Sequence, residues 1–495
     1  MLDILLALLP FFLIAYLLVV RGVSALHTLF FAFLYMFVLL FVWGQPVQEL
    51  FFALLKGSFI TFDLLLIIFG VLFLFYVLQE TKHMEHLELF LSSLSKEIPV
   101  HIVLIGYFFV FFLEGIAGFG TPALIAAPLL ILVGVRPLTA VVVCLVTDSL
   151  AVVFGAFGTP IFVGLAGISG AETVVTQITA VLAGAVMVFL PTLLLFLYSS
   201  GEGISFRKMY PYLPLSFVSG IVSALLFITS AYFLGPEFPS VITAVFGLAI
   251  VIFFLRRGVL GVSLRKPRFR LAIPSLSAYL LIIALLIVTR IDLFGLGSFA
   301  LSLGGVIVLS QTISHTFSFY APGVLITLSA LLFVLFIRPK WAVVRSSLVL
   351  TKEKLLPVGA TLLFTLFFAQ LIMYSSPSIP ELVASLFAGT SYGYLFFAPL
   401  IGAFGSFIAG SATVSNLLFA SVHIDAAVFT DLSPSLILAL QVVGAGIGNM
   451  LAIHNIIAVL AVVHVKGGIR TVLLHTSVIA LFLIVVVSIL SLGFL

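Results

Sequence analysis

Charge is what this sequence most lacks. Of its 495 residues only 8% are Asp, Glu, Lys or Arg, against about 25% in an ordinary soluble domain. So little charge cannot coat a water-exposed surface, which excludes a soluble enzyme, a nucleic-acid binder and a disordered chain. Cysteine is nearly absent too. Cys144 stands alone, so an intramolecular disulfide and a cysteine-built metal cluster are both excluded. No Gly-x-x-x-x-Gly-Lys-Ser/Thr string occurs, and too little polar sequence remains for an ATPase domain, which argues against a primary pump. No His-Glu-x-x-His string supports a membrane-embedded metalloenzyme. The first apolar run starts Met1-Leu-Asp and has neither a basic n-region nor a small-residue cleavage site. It is read as a first transmembrane helix and not as a removed signal peptide.

What the sequence has is apolar length. Hydrophobic residues make up 63% of it, with 52 Phe and 39 Gly. Runs of about 20 apolar residues, enough to cross a bilayer, recur throughout. The reading is an all-α polytopic membrane protein bathed in lipid. Plain spans are expected at 2–20, 25–43, 60–79, 173–198, 211–234, 240–255, 271–290, 320–337, 356–373 and 471–495. Two apolar stretches, about 101–170 and 392–465, are interrupted.

Lysine and arginine mark cytoplasmic loops. The richest loop carries Arg256, Arg257, Arg265, Lys266, Arg268 and Arg270, and the next Arg338, Lys340, Arg345, Lys352 and Lys354. If each interrupted stretch crosses an odd number of times, all but Lys56 and Arg290 of the 21 basic residues fall on one side. Both termini are then expected outside the cell membrane.

The interrupted stretches have a common form. In the first, apolar residues meet Glu114-Gly-Ile-Ala-Gly-Phe-Gly-Thr-Pro122 and resume until Arg136. Arms of about 13 residues are too short to span, so a re-entrant hairpin over 101–135 is expected. The next run, 137–168, is a helix broken at Gly155-Ala-Phe-Gly-Thr-Pro160. The second stretch repeats this, with a hairpin over 393–430 turning at Gly410-Ser-Ala-Thr-Val-Ser-Asn416. A helix over 434–465 then breaks at Asn449-Met-Leu-Ala-Ile-His-Asn455. A shift of 295 residues superposes the two patterns, each pair crossing in opposite directions. This predicts about 12 spans plus two hairpins in inverted-topology repeats. Residues 1–200 form the first repeat, 201–270 the connecting spans and basic loop, and 271–495 the second repeat. Such broken helices offer amide ends to an anion and carbonyl ends to a cation near the midplane of secondary transporters.

Several strings occur in order: Phe112-Leu-Glu-Gly-Ile-Ala-Gly-Phe-Gly-Thr-Pro122, Asp148-Ser with Phe154-Gly-Ala-Phe-Gly-Thr-Pro-Ile161, Gly235-Pro-Glu-Phe-Pro239, Gly402-Ala-Phe-Gly, Gly410-Ser-Ala-Thr-Val-Ser-Asn416, and Gly448-Asn-Met with His454-Asn455. Together they resemble the lactate permease family over nearly the whole chain, about 2–495. The resemblance implies a secondary active transporter importing L-lactate and glycolate, proton-coupled, without an enzymatic activity or a resident cofactor. It also implies kinship with the ion-transporter superfamily, with two hairpins and elevator-type motion, in the plasma membrane. At Asp148 and at Asn449 the chain departs from some members of that family.

Ionisable groups at membrane depth are costly and so point to function. Glu114 and Asp148 are candidates for carrying the coupling ion, a proton or sodium. Each also has a structural reading, as a cap for Glu114 and as a partner of a neighbouring hydroxyl for Asp148. Thr121, Thr159, Ser411, Thr413, Ser415, Asn416, His454 and Asn455 are the expected substrate contacts, since small donors suit one carboxylate and one hydroxyl. Helix capping competes as the role of the hydroxyls. Arg290 with Asp292 reads as a solvated pair, Glu237 as structural and His315 as a loop feature. A sodium-coupled carrier of another small carboxylate and an anion channel are the alternatives. The sequence leaves a monomer and a homodimer both open.

Overall fold

The structure, a computed structural model, describes residues 2–17, 21–116, 118, 121–165, 168, 172–258, 260, 269–290, 292–310, 313–319, 321–465 and 468–495. The side chains of some of these, Thr121 and His454 among them, lie outside the description. The chain is predominantly helical, as lipid requires of a backbone that must satisfy its own hydrogen bonds. Among the described residues nine helices are long and apolar enough to cross a membrane, or eleven if each of two bent pairs is one span. This is a polytopic membrane architecture.

Several expected boundaries are corrected. The spans expected at 60–79 and 356–373 belong to much longer helices, Val47–Glu80 and Trp341–Met373. Arg345, Lys352 and Lys354, read as loop residues, therefore sit on a helix. Hydropathy marks where lipid begins, whereas helix hydrogen bonding continues past that boundary. The span at 173–198 is two helices, Glu172–Met187 and Leu190–Gly201, bent by 42°. Hairpin arms are not uniformly short, since Ile98–Ile116 and Ala412–Thr430 have 19 residues each. The all-α reading also omitted a two-stranded antiparallel sheet, Gly305–Val308 with Ser314–Phe317. Its Val-Ile-Val run is β-branched and favours strand. His315, read as a loop feature, lies on that sheet, where its Nε2 is 3.2 Å from Asp63 Oδ2.

Both interrupted stretches fold back as hairpins. In the first, Gly106 faces Leu130 across the turn. In the second, Ser415 Oγ donates to the carbonyl of Gly402 at 2.8 Å, and Gly405 abuts Phe419. The second turn is set by Gly410, which ends Tyr394–Ala409 in the left-handed region (φ 65°), and by Ser411, whose hydroxyl accepts from the Val414 amide. Glycine closing one helix and serine opening the next is the ordinary chemistry of two helix ends.

Close approaches fix the relative directions of the helices. Gly57 lies against Leu366 and Phe367, and Gly359 against Leu65, so Val47–Glu80 and Trp341–Met373 run antiparallel. Gly323 meets Leu66 and Ile67 while Gly70 meets Thr327, so Pro322–Ile337 runs parallel to Val47–Glu80. Tyr394–Ala409 runs parallel to Pro434–Asn449, with Gly444 on Pro399 and Gly448 on Ala403. Small residues spaced by four let two backbones touch in this way.

The first interrupted stretch is enclosed by the rest of the protein, while the arms of the second hairpin, at 50% and 67%, are buried no more than the long spans. The most apolar window of Pro137–Phe162 is 100% buried and that of Ile98–Ile116 94%, whereas Ile469–Phe494 reaches only 39%. Irregular backbone at membrane depth needs that protein cover.

At Gly448 a Cβ would stand 2.1 Å from the Ala403 carbonyl oxygen, which is backbone and cannot swing aside. Gly448→Val should cost at least about 1–3 kcal/mol through overpacking and lower the melting temperature in detergent. Gly493→Val, with nothing within 4 Å, is the control and should melt like the parent.

Candidate functional site

The four interruptions meet in one place. The end of the first hairpin arm brings Glu114 against the first broken helix. Glu114 Oε1 occupies the spot where a Cβ on Gly155 would sit, only 2.2 Å away, so residue 155 can carry no side chain. Gly118 lies on Ala156. The second hairpin touches the same break, with Asn416 Nδ2 donating to the Pro160 carbonyl at 2.9 Å. The second broken helix closes the ring, with Asn449 Nδ2 donating to Asp148 Oδ2 at 2.8 Å.

The first break is strained. Ala156 (φ 42°) and Phe157 (φ 54°) are left-handed without being glycine, and Gly158 follows at φ 81°. Such residues cost of order 1–3 kcal/mol each. The surroundings hold them. Gly158 is pressed against the Pro236 carbonyl in the turn before Pro239, and the Ser240 hydroxyl donates to the Ala151 carbonyl at 2.7 Å.

Glu114 and Asp148 are 1% and 2% exposed. The two carboxyls are close neighbours that interact directly. The second oxygens, Glu114 Oε2 and Asp148 Oδ1, have no hydrogen-bond partner among the described residues. Asn449 fixes the orientation of Asp148, and Asn455 Nδ2 in turn donates to Asn449 Oδ1 at 3.3 Å.

Beside this pair is a cavity of about 220 Å³, many times the roughly 10–15 Å³ that one water needs. Glu114, Thr159, Ser411, Thr413, Asn449 and Asn455 line it, together with Lys354. Of the expected substrate contacts the cavity thus unites Thr159, Ser411, Thr413 and Asn455. Ser415 and Asn416 are fully buried behind its wall. Gln441 Nε2 donates to both, at 3.1 Å to Ser415 Oγ and 3.3 Å to Asn416 Oδ1. Gln441 Oε1 is 2.7 Å from His423 Nε2, and the Tyr394 hydroxyl is 2.7 Å from His423 Nδ1. This chain of bonds runs the length of the second hairpin. The positions of Thr121 and His454 are helical, but their side chains lie outside the described residues.

Three residues escaped the sequence reading. Lys354 was counted with a loop. Gln441 and His423 each stand in an apolar helix, and the rule that polar groups at membrane depth need a reason would have found both.

The sequence profile of the L-lactate permease family matches residues 3–494. The chain belongs to that family. It is 29% identical over 426 residues to a putative L-lactate permease of Haemophilus influenzae, covering 78% of each chain. It is 27% identical to the L-lactate permease of Escherichia coli strain K12, over 81% of this chain and 79% of that one. With the L-lactate permease of Bacillus subtilis strain 168 it shares 27% identity over 86% of this chain and 83% of the other. Members of this permease family are transporters and not enzymes, and the multi-pass helical fold is that of a membrane protein.

In this permease Asn416 binds one hairpin to the opposite half. Asn416→Ala would leave the Pro160 carbonyl and a Gln441 donor buried without partners. Each orphaned group costs about 1–3 kcal/mol. The expected result is a clearly lower melting temperature in detergent, whereas Asn455→Ala, with its one long bond at the cavity edge, should melt close to the parent.

Proposed function

We propose that this chain is a secondary active transporter importing L-lactate, and related small 2-hydroxy monocarboxylates such as glycolate, by symport with a cation, the proton. The observation that carries the reading is the convergence of four helix interruptions on a polar cavity with a buried carboxyl pair beside it. The relatives bear the name L-lactate permease, which supports lactate as the substrate.

The carboxylate of lactate is received by the Ser411 and Thr413 hydroxyls and the free amides at the start of Ala412–Thr430, where the helix dipole is positive. Thr159 and Asn455 face the 2-hydroxyl. Ser415 and Asn416 act one layer back, holding the second turn in position through Gln441. Glu114 and Asp148 carry the proton. An anion entering beside an ionised carboxyl meets like charge, and protonation of the pair removes it. The two unpartnered oxygens of the pair would equally suit a sodium ion, which makes sodium coupling the alternative outcome.

Two inverted repeats, residues 1–200 and 271–495 joined by 201–270, account for the architecture. The helices recur at an offset near 295: Ala25–Val42 with Pro322–Ile337, Val47–Glu80 with Trp341–Met373, and Pro137–Ala151 with Pro434–Asn449. The long pair runs antiparallel, as inverted topology demands. The hairpins and broken helices form the moving unit of an elevator in the plasma membrane, and the spans 2–43 and 211–337 form its scaffold. Both termini face outward.

Uptake of labelled lactate into proteoliposomes tests the coupling. Lactate should accumulate when the outside is more acidic and not under a sodium gradient alone. Asp148→Asn combined with Glu114→Gln mimics the fully protonated pair, so the double variant should abolish accumulation while lactate–lactate exchange persists. Accumulation by sodium alone, or undiminished accumulation in the double variant, contradicts the assignment. The topology has its own test. In a Cys144→Ser background, Gln48→Cys should react with an impermeant maleimide from outside and Ser205→Cys only from inside.

A further inference from the structure

We propose that Lys354 is the counter-charge for the substrate carboxylate and that it restricts the cavity to monoanions. This rests on the reading of the cavity as the lactate site, and it adds a residue, a charge rule and a selectivity to that reading.

Lys354 lies on the fourth helical turn of Trp341–Met373, 13 positions in from its start. At 1.5 Å per residue that is about 20 Å along the axis. Such depth puts it far from the loop at Arg338 and Lys340, and its side chain lines the cavity with Glu114, Ser411, Thr413 and Asn455. It is the one basic residue in that lining among the described residues. Neither of the ion pairs found among the described residues involves it. Lys354 is exposed. A lysine is a compact charge on a flexible four-carbon stem, suited to meeting a small anion without a fixed fork geometry.

Charge balance gives this cation its purpose. With one proton, the carboxyl pair contributes one negative charge, and Lys354 contributes one positive charge. The empty site is therefore neutral. A bound lactate adds one negative charge, and a second proton on the pair adds one positive charge, so the loaded site is neutral again. Lactate without the proton, or the proton without lactate, leaves a net charge beside the buried Glu114, and an uncompensated charge at membrane depth is costly. A dicarboxylate with one proton leaves the same excess. Lys354 thus ties one monoanion to one proton and disfavours dianions.

The test is lactate binding by calorimetry to the purified full chain. Lys354→Gln should raise the Kd for lactate about tenfold to a hundredfold, the loss expected for a hydrogen bond to a charged group. The neutral isostere lactamide should compete as well against the variant as against the parent. Lys354→Arg should keep most of the affinity, and malate should compete poorly with the parent. The proposal is overturned if Lys354→Gln binds lactate like the parent, or if lactamide binding falls by the same factor as lactate binding. A parent protein that binds no lactate at all would overturn the reading of the cavity and this proposal together, so the two failures are distinguishable.

Discussion

The contact between Glu114 and Asp148 organises everything around it. An acid on a hairpin tip reaches an acid on a helix that breaks two turns later. Both are buried, and burying an ionised carboxylate without a partner is prohibitively costly. Asp148 takes a donor from Asn449 in the other half of the chain. That bond spans 301 positions in sequence. The two halves are therefore not merely packed together but joined at the titratable centre.

The remaining irregularities follow from making room for that contact. Gly155 has no side chain because the Glu114 carboxyl fills its place. Ala156 and Phe157 adopt left-handed backbone so that the chain can turn across the hairpin end. Strain of this kind persists only where the surroundings over-determine it, and here the turn at Pro236 and the Asn416 bond to Pro160 do so. The network from Tyr394 through His423 and Gln441 gives the second hairpin equivalent rigidity. The cavity is consequently edged by groups of fixed orientation, with Lys354 the flexible exception.

Much of this was legible in the amino-acid sequence. Apolar runs located the spans, and glycine and proline strings located the breaks, because lipid admits few kinds of backbone and each exception needs a local cause. Family membership was legible from the Glu114 and Ser411 strings. Other features were not. The lengths of Val47–Glu80 and Trp341–Met373 escaped because hydropathy reports the environment of side chains and not helical hydrogen bonding. The strand pair around His315 escaped because short β-branched runs look like any other apolar segment. Ser415 and Asn416 were placed among the substrate contacts, yet their hydrogen bonds go to Gln441, Gly402 and Pro160. Only the three-dimensional neighbours of a small polar residue distinguish a cavity edge from the wall behind it. Lys354 escaped for the opposite reason, since a positive charge beside an apolar run reads as a loop anchor.

The central claim is that anion and proton load into one site made by both halves. The most direct measurement is calorimetric lactate binding in two buffers of different ionisation enthalpy, near neutral pH, which counts the protons taken up with the ligand. The account predicts uptake of close to one proton per lactate in the parent and none in a Glu114→Gln, Asp148→Asn double variant. Lactate binding by the parent with no linked proton uptake would contradict it.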